Sequence, residues 1–203
     1  MRNMVQEWFS IFNCAIADYH IKDDVDQEFV NPHTEGTLKF LLYQKCWIDT
    51  VQWHFEDLVR DPDINPVAGM ELKRRIDASN QRRTDLVEKI DDYLINDFNL
   101  PETPPENAAL CTESLAWAID RLSILALKIY HMDIEVSRAA EDKHEFLQVK
   151  QAVLHAQRED LIEAITQLID DVRKGTRYYK VYRQVKMYND PNLNPVLYKK
   201  RGS

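Results

Sequence analysis

This sequence predicts an all-α protein: an antiparallel bundle of about five long helices, followed by a basic, tyrosine-rich C-terminal arm. Three observations carry the prediction. Only four of the 203 residues are glycine. No segment sustains the apolar/polar alternation of period two that a half-buried strand needs. Apolar residues instead recur at three-and-four spacing over long runs, the repeat of one helix face. With 44% hydrophobic and 30% charged residues the chain has the composition of a folded domain with a real core. The expected division is a bundle domain over residues 1–175 and an arm over 176–203 packed on it.

The first helix is expected from Met4 to Ile21, with Val5, Trp8, Phe9, Phe12, Ile16 and Tyr19 on its inner side. Arg2 ahead of a mildly apolar stretch ending in Ala15-Ile16-Ala17 has the outline of a signal peptide. Glu7 and Asn13 interrupt that stretch, so it reads as an amphipathic helix. Asn31-Pro32 breaks the chain, and a second helix is expected from about Thr34 to Arg60. Its apolar face would be Leu38, Leu41, Leu42, Ile48, Val51, Phe55 and Leu58. Asp61-Pro62 ends it. Asn65 before Pro66 is an N-cap followed by proline at the first helical position, which starts a third helix running to about Phe98.

Pro101, Pro104 and Pro105 then form a stiff loop, and Thr112 is a candidate cap for a fourth helix. From Leu115 to Met132 that helix is apolar nearly all round, with Asp120, Arg121 and Lys128 as the charged exceptions, so a central position is expected. Asp142 with Glu145 three residues on has the form of a capping box, and Gly175 is a natural C-terminal stop for the fifth helix. Short loops between long helices imply that neighbours fold back on one another. Asp190-Pro191 and Asn194-Pro195 must open any helix continuing into the arm.

Several function classes lack support. Cys14, Cys46 and Cys111 are odd in number and far apart, without a C-x-x-C pair, which suits reduced thiols and a cytoplasmic location. No stretch approaches the ~20 apolar residues of a membrane span. Neither a glycine-rich phosphate loop nor a nucleophile elbow is present around Ser79, Ser123 or Cys46. Glu141-x-x-His144 is half of a di-iron motif whose second copy is missing, and its place at a helix start favours capping.

The net charge of −8 is unevenly spread. From Arg173 onward nine basic residues face one acidic residue, a surplus of +8, which leaves −16 on the body. Such an arm can dock on the body, pairing Arg183 and Lys186 and burying Tyr182, Val185 and Tyr188. It can instead stack on and neutralise single-stranded nucleic acid, or serve as the arm of a homodimer. Docking is the favoured reading.

Three polar islands interrupt core-like helices. One is Trp53-His54-Phe55-Glu56-Asp57. The second runs from Asp77 to Asp85 and places Asn80 and Arg83 on the stripe of Leu72, Ile76, Val87, Ile90 and Leu94. The third is Ile119-Asp120-Arg121-Leu122-Ser123. A guanidinium cannot stay unpaired in a dry core, so these islands should meet. The plain reading is a buried network that sets helix register. The functional reading is a pocket built from His54, Glu56, Asp57, Asn80, Arg83, Asp120 and Arg121, taking a small anionic ligand and no cofactor.

All-α nucleoside triphosphate pyrophosphohydrolases, which hold Mg2+ by carboxylates on two successive helices, offer an alternative. Asp57, Asp61, Glu88 and Asp91 would then be the ligands, although Arg60 replaces an expected acid. His54 and His131 sit in apolar company and read as core or pocket histidines.

Taken together, the islands and Lys186-Met187-Tyr188-Asn189-Asp190-Pro191 resemble the signature segments of an uncharacterised bacterial family. Its members are of similar length and come mostly from Bacteroidetes. The resemblance implies a single-domain cytosolic protein and supplies no activity.

Overall fold

In the computed structural model of the chain, residues 1–101, 103–184, 187 and 190–198 are described. The elements among them are helices α1 (Arg2–Tyr19), α2 (Leu38–Val59), α3 (Pro66–Asp97), α4 (Leu115–Arg138), α5 (Glu141–Arg173) and a short α6 (Pro195–Tyr198). Two short strands, β1 (Ala109–Leu110) and β2 (Arg177–Tyr178), pair in parallel. The all-α expectation therefore holds. None of the described helices is long and apolar enough to cross a membrane.

Every residue expected on the inner side of α1 is buried, joined by Ile11 and Ala15. This face packs against α2, α4 and α5. Helix α4 touches each of the other four long helices, which explains why it is apolar almost all round. Of its three charged exceptions only Asp120 turns inward; Arg121 and Lys128 are exposed. The core joins the inner faces of α1 and α2 to Val87, Ile90 and Leu94 of α3, to most of α4 and to Ile162, Ile165 and Ile169 of α5. Each large apolar side chain so buried contributes roughly 1.5–3 kcal/mol before the cost of ordering the chain.

The caps show where local signals sufficed. Asn65 accepts from the backbone N–H groups of Val67 and Ala68, with Pro66 in the first helical position, as its sequence implies. Gly175 ends α5 with φ of +72°: its N–H donates to the carbonyl of Val172, and that of Thr176 reaches back to Asp171, a Schellman closure.

Two expected caps are displaced. Ser114, not Thr112, caps α4, accepting from the Trp117 N–H at 3.4 Å. The segment before it stays extended because the Cys111 N–H is spent on the carbonyl of Tyr178, at 2.8 Å, in the β1–β2 ladder. Only Ala139 and Ala140 separate α4 from α5, so Asp142 already lies inside the first turn of α5 and caps nothing. Its charge there still complements the helix dipole.

The inner face of α2 also departs from expectation. Leu42, Cys46, Trp47, Thr50 and Phe55 are buried, but so are Lys45 and Asp49, while Leu58 is 47% exposed and Ile48 and Val51 are half-buried. With apolar residues on most sides of α2, spacing alone did not select its rotation about its axis.

The first part of the arm lies along the body. Arg183 donates to Asp92, at 2.7 and 2.9 Å, and to Glu88 at 3.2 Å, and the Gln184 N–H also meets Glu88. Tyr179 is half-buried, but Tyr182 is 75% exposed, contrary to the expectation that it is covered. It sits on the outward side of a chain anchored by the residue after it. Val185, Lys186, Tyr188 and Asn189, with Lys199, Lys200 and Arg201, lie outside the described residues.

Gly175 is also crowded: a Cβ there would lie 3.3 Å from Cγ of Pro105. Gly175→Ala should therefore cost about 1–2 kcal/mol, mainly from the left-handed backbone. Urea unfolding would register this as a lower midpoint with unchanged slope. An unchanged midpoint would count against the Schellman closure.

Candidate functional site

Helix α2 presents polar groups on two sides. Toward α3 and α4 it carries Lys45 and Asp49, one helical turn apart and both fully buried. They form an ion pair with each other, and Lys45 Nζ also stands 2.8 Å from Oδ1 of Asp120 and donates to that residue's backbone carbonyl. From α3, Arg83 closes a two-pronged contact on the same carboxylate, with Nε to Oδ1 at 2.9 Å and its second nitrogen to Oδ2 at 2.5 Å. Ser123 of α4 donates to Oδ2 of Asp49 at 2.6 Å. The other oxygen of Asp49, Oδ1, is buried and accepts no hydrogen bond, although Arg83 Nε stands 3.4 Å away.

Two cations and two carboxylates thus meet at one level of three helices. Burial alone would push Asp120 up, but Lys45 and Arg83 together bring it below the usual carboxylate range. Complete burial moves Asp49 the other way and Asp120 adds to the rise, against the pull of Lys45 and Arg83. The two carboxylates are thus displaced in opposite directions, Asp120 downward by its two cations and Asp49 upward by its burial. Burial likewise lifts the thiol of Cys46 to about 12, so it is an inert core group.

A cleft of about 440 Å³ opens beside this cluster, lined by Asp49, Gln52, Trp53, Glu56, Asp57 and Arg83 among others. Gln52 donates to Asn80 Oδ1 at 2.9 Å, and its own carbonyl oxygen is buried without a partner. Arg83 reaches the surface with 26% of its side chain exposed.

Five of the seven residues expected to share a pocket therefore gather at this cleft or within hydrogen-bonding reach of its lining: Glu56, Asp57, Asn80, Arg83 and Asp120. Asp120 lies behind Arg83. Arg121 is absent from this cleft: it is 66% exposed, pairs with Glu113 at 3.0 Å, and borders a separate opening of about 630 Å³ together with Arg83 and Asp120. Position 121 follows the inward Asp120 by a single step, which turns a helical side chain by about 100°.

His54 belongs to the second polar side of α2. Its Nε2 stands 3.2 Å from Nε2 of His20, the C-terminal cap of α1, and 3.6 Å from Oδ1 of Asp23. His131 of α4 completes a triangle of imidazoles with centroids 5.2, 5.4 and 5.6 Å apart. These rings, with Asp23, Trp53 and Asp57, border a second cavity of about 780 Å³. Lys45, Asp49 and His20 escaped the sequence reading. Lys45 and Asp49 look like an ordinary helical i,i+4 ion pair, and His20 is a lone histidine near a helix end.

The four carboxylates considered for Mg2+ do not converge. Partner pairs 49 with 83, 52 with 80 and 55 with 75 descend along α3 as they ascend along α2. Asp57 and Glu88 therefore lie on opposite sides of the 52–80 level, roughly 20 Å apart along the axis at ~1.5 Å per residue. Asp61 is exposed beyond the end of α2. Glu88 holds Arg183, and Asp91 accepts from Ser114 Oγ and the Ala116 N–H at the start of α4. Glu141 is exposed and His144 half-buried at the start of α5, with no second half of a di-iron motif beside them among the described residues.

The fold and its clusters define a helical protein with charged and imidazole groups enclosed between helices. The chain belongs to a family described as Protein of unknown function (DUF4254), whose model matches residues 39–181. That span holds the whole charged cluster, His54 and His131, whereas His20 precedes it. Neither a curated protein nor a solved structure matches the chain.

Removing one partner of a buried ion pair leaves the other uncompensated, so Lys45→Met should cost ~3–5 kcal/mol. Adding Asp49→Leu should recover much of that loss. Urea unfolding of the single and double variants tests this, and strictly additive losses would mean the groups are not coupled.

His131 is held at about 4, first by burial and then by His20 and His54, with Asp57 and Asp23 opposing. It is neutral in the fold, so its stabilising contribution is present above about pH 6.5 and lost as pH falls toward 4, where the unfolded chain takes up the proton first. Asp91, pushed up to about 6 by burial, acts with the opposite sign but is common to wild type and variant. His131→Gln should make the fall in unfolding free energy between pH 6.5 and 4 shallower. Parallel profiles for the two proteins would refute the assignment.

Proposed function

We propose that this protein is a non-catalytic or accessory binding protein for a small anionic molecule carrying hydrogen-bond donors, seated in the cleft between α2, α3 and α4. The carrying observation is Asp49 Oδ1, a buried acceptor without a hydrogen bond that lines the same cleft as the partly exposed Arg83. A buried carboxylate oxygen in that state costs free energy, which a donor group on a ligand would offset. Gln52 adds a second acceptor on the same wall.

Arg83 supplies the attraction for the anionic group. Its contacts with Asp120 use Nε and one terminal nitrogen, which leaves the other edge of the guanidinium for a ligand. Trp53, Ile124 and Leu127 give the cleft an apolar wall. Arg121 lies outside this cleft and pairs with Glu113, so the anchor within it is Arg83.

A thermal-shift series with inorganic phosphate, a nucleoside monophosphate and a sugar phosphate tests this reading. At 100 times Kd a ligand adds ~2.7 kcal/mol, roughly 5–10 °C for a chain of this size. The shift should vanish in Arg83→Ala, measured against that variant's own baseline, and persist in Arg121→Ala. A shift retained by Arg83→Ala would place the ligand elsewhere.

A further inference from the structure

We propose that His20, His54 and His131 form a binding site for a divalent transition-metal ion of the zinc class, with Asp23 beside it and one coordination position facing the second cavity. One ring nitrogen from each histidine lies within 4.8 Å of the other two, and all three side chains are half-buried. The nitrogens come from three different elements: the end of α1, the last third of α2 and the last third of α4. Sequence proximity therefore does not account for their meeting.

The orientation of each ring is set from behind. His20 Nδ1 is 2.7 Å from the carbonyl of Ile16, to which it donates, so the lone pair of a neutral His20 lies on Nε2, the atom that faces His54. A metal-binding histidine is usually held in this way, its second nitrogen donating to a carbonyl or carboxylate. Tyr19 stacks on His54 at 5.0 Å with planes 17° apart, and Trp53 stacks on His131 at 4.8 Å with planes 8° apart. Tyr130 lies against His20 at 4.4 Å. The Nε2 of His131 is buried and makes no hydrogen bond, a ring nitrogen left without a partner.

The distances suit a small ion. Three nitrogens about 2.1 Å from a tetrahedral zinc are roughly 3.4 Å from one another. The pair from His20 and His54 already stands at 3.2 Å, and the His131 nitrogen, within 4.8 Å of both, must close the remaining gap. Imidazole donors suit zinc, iron(II), nickel or copper rather than Mg2+ or Ca2+. Three protein ligands leave a fourth position for water or for Asp23, whose carboxylate is 3.6 Å from His54 Nε2. Asp23 itself sits at φ of +51°, a conformation uncommon outside glycine, which brings this acid back over the end of α1. The cavity shares Trp53 and Asp57 with the Arg83 cleft but is a separate opening, so the metal site stands or falls independently of the anion site.

The chain has six histidines, and the other three, His33, His144 and His155, serve as controls. Full-length protein stripped with EDTA would be titrated with Zn2+ by calorimetry and with Co2+ by visible absorption. The expected result is one equivalent of metal, a Co2+ spectrum of nitrogen and oxygen ligands without a thiolate charge-transfer band, and a higher melting temperature with Zn2+. His20→Ala, His54→Ala and His131→Ala should each weaken binding by at least about 100-fold, beyond the 10–100-fold typical of losing an outer-shell partner. His33→Ala, His144→Ala and His155→Ala should leave it unchanged. No saturable uptake, a thiolate band, or binding that depends on the control histidines would each overturn the proposal. Because the Co2+ spectrum and the stoichiometry are read on the unmutated chain, the test survives a variant that fails to fold.

Discussion

Lys45 is the constraint around which the bundle is arranged. A fully buried ammonium is tolerated only with anionic partners at hydrogen-bonding distance, and both of its partners are aspartates, one on its own helix and one on α4. Asp120 in turn needs Arg83 from α3, and Asp49 takes the hydroxyl of Ser123. These contacts fix the rotation of α2 and the heights of α3 and α4 against it. Replacing them by apolar packing could be equally stable, since desolvation offsets most of what buried charges gain. What the cluster adds is a single register, because a slip of one residue would strand a charge in the core.

With α2 held in that rotation, its polar positions divide between two sides. Asp49, Gln52 and Glu56 border the cleft next to α3, whereas His54 turns toward α1 and α4. Trp53 separates the two openings and contributes to both, with its ring stacked on His131. One helix thus positions a charged cluster and an imidazole cluster within a few turns, and α4 supplies the opposing wall to each. The fully buried apolar residues of α1 and α4 keep these groups from relaxing apart.

Much of this architecture was legible from local chemistry. Asn65-Pro66 marked the start of α3 and Gly175 the end of α5, because an N-cap and a left-handed C-terminal residue act within a few positions. The polar break at Asn80 and Arg83 correctly flagged a meeting of helices. The misses have one cause. Thr112 and Asp142 are good caps in isolation, but Cys111 is drawn into a strand pair by Tyr178, and α5 begins too soon after α4. Lys45 with Asp49 resembles a surface ion pair until the rotation of α2 is known. Asp57, Asp61, Glu88 and Asp91 share helical spacing but not height.

From its own residues the sequence determined the helices, most of their breaks, the stripes that form the core and the three islands where polarity intrudes. These follow from backbone propensities and periodicity, which act over one or two turns. Tertiary structure decided which island meets which: that Arg83 finds Asp120 rather than Glu56, that Arg121 pairs with Glu113, and that His20 joins His54 and His131. Such choices depend on the relative rotation and axial height of helices distant in sequence. A turn of about 100° or a shift of about 1.5 Å exchanges one neighbour for another, and residue spacing within one helix carries no information about either.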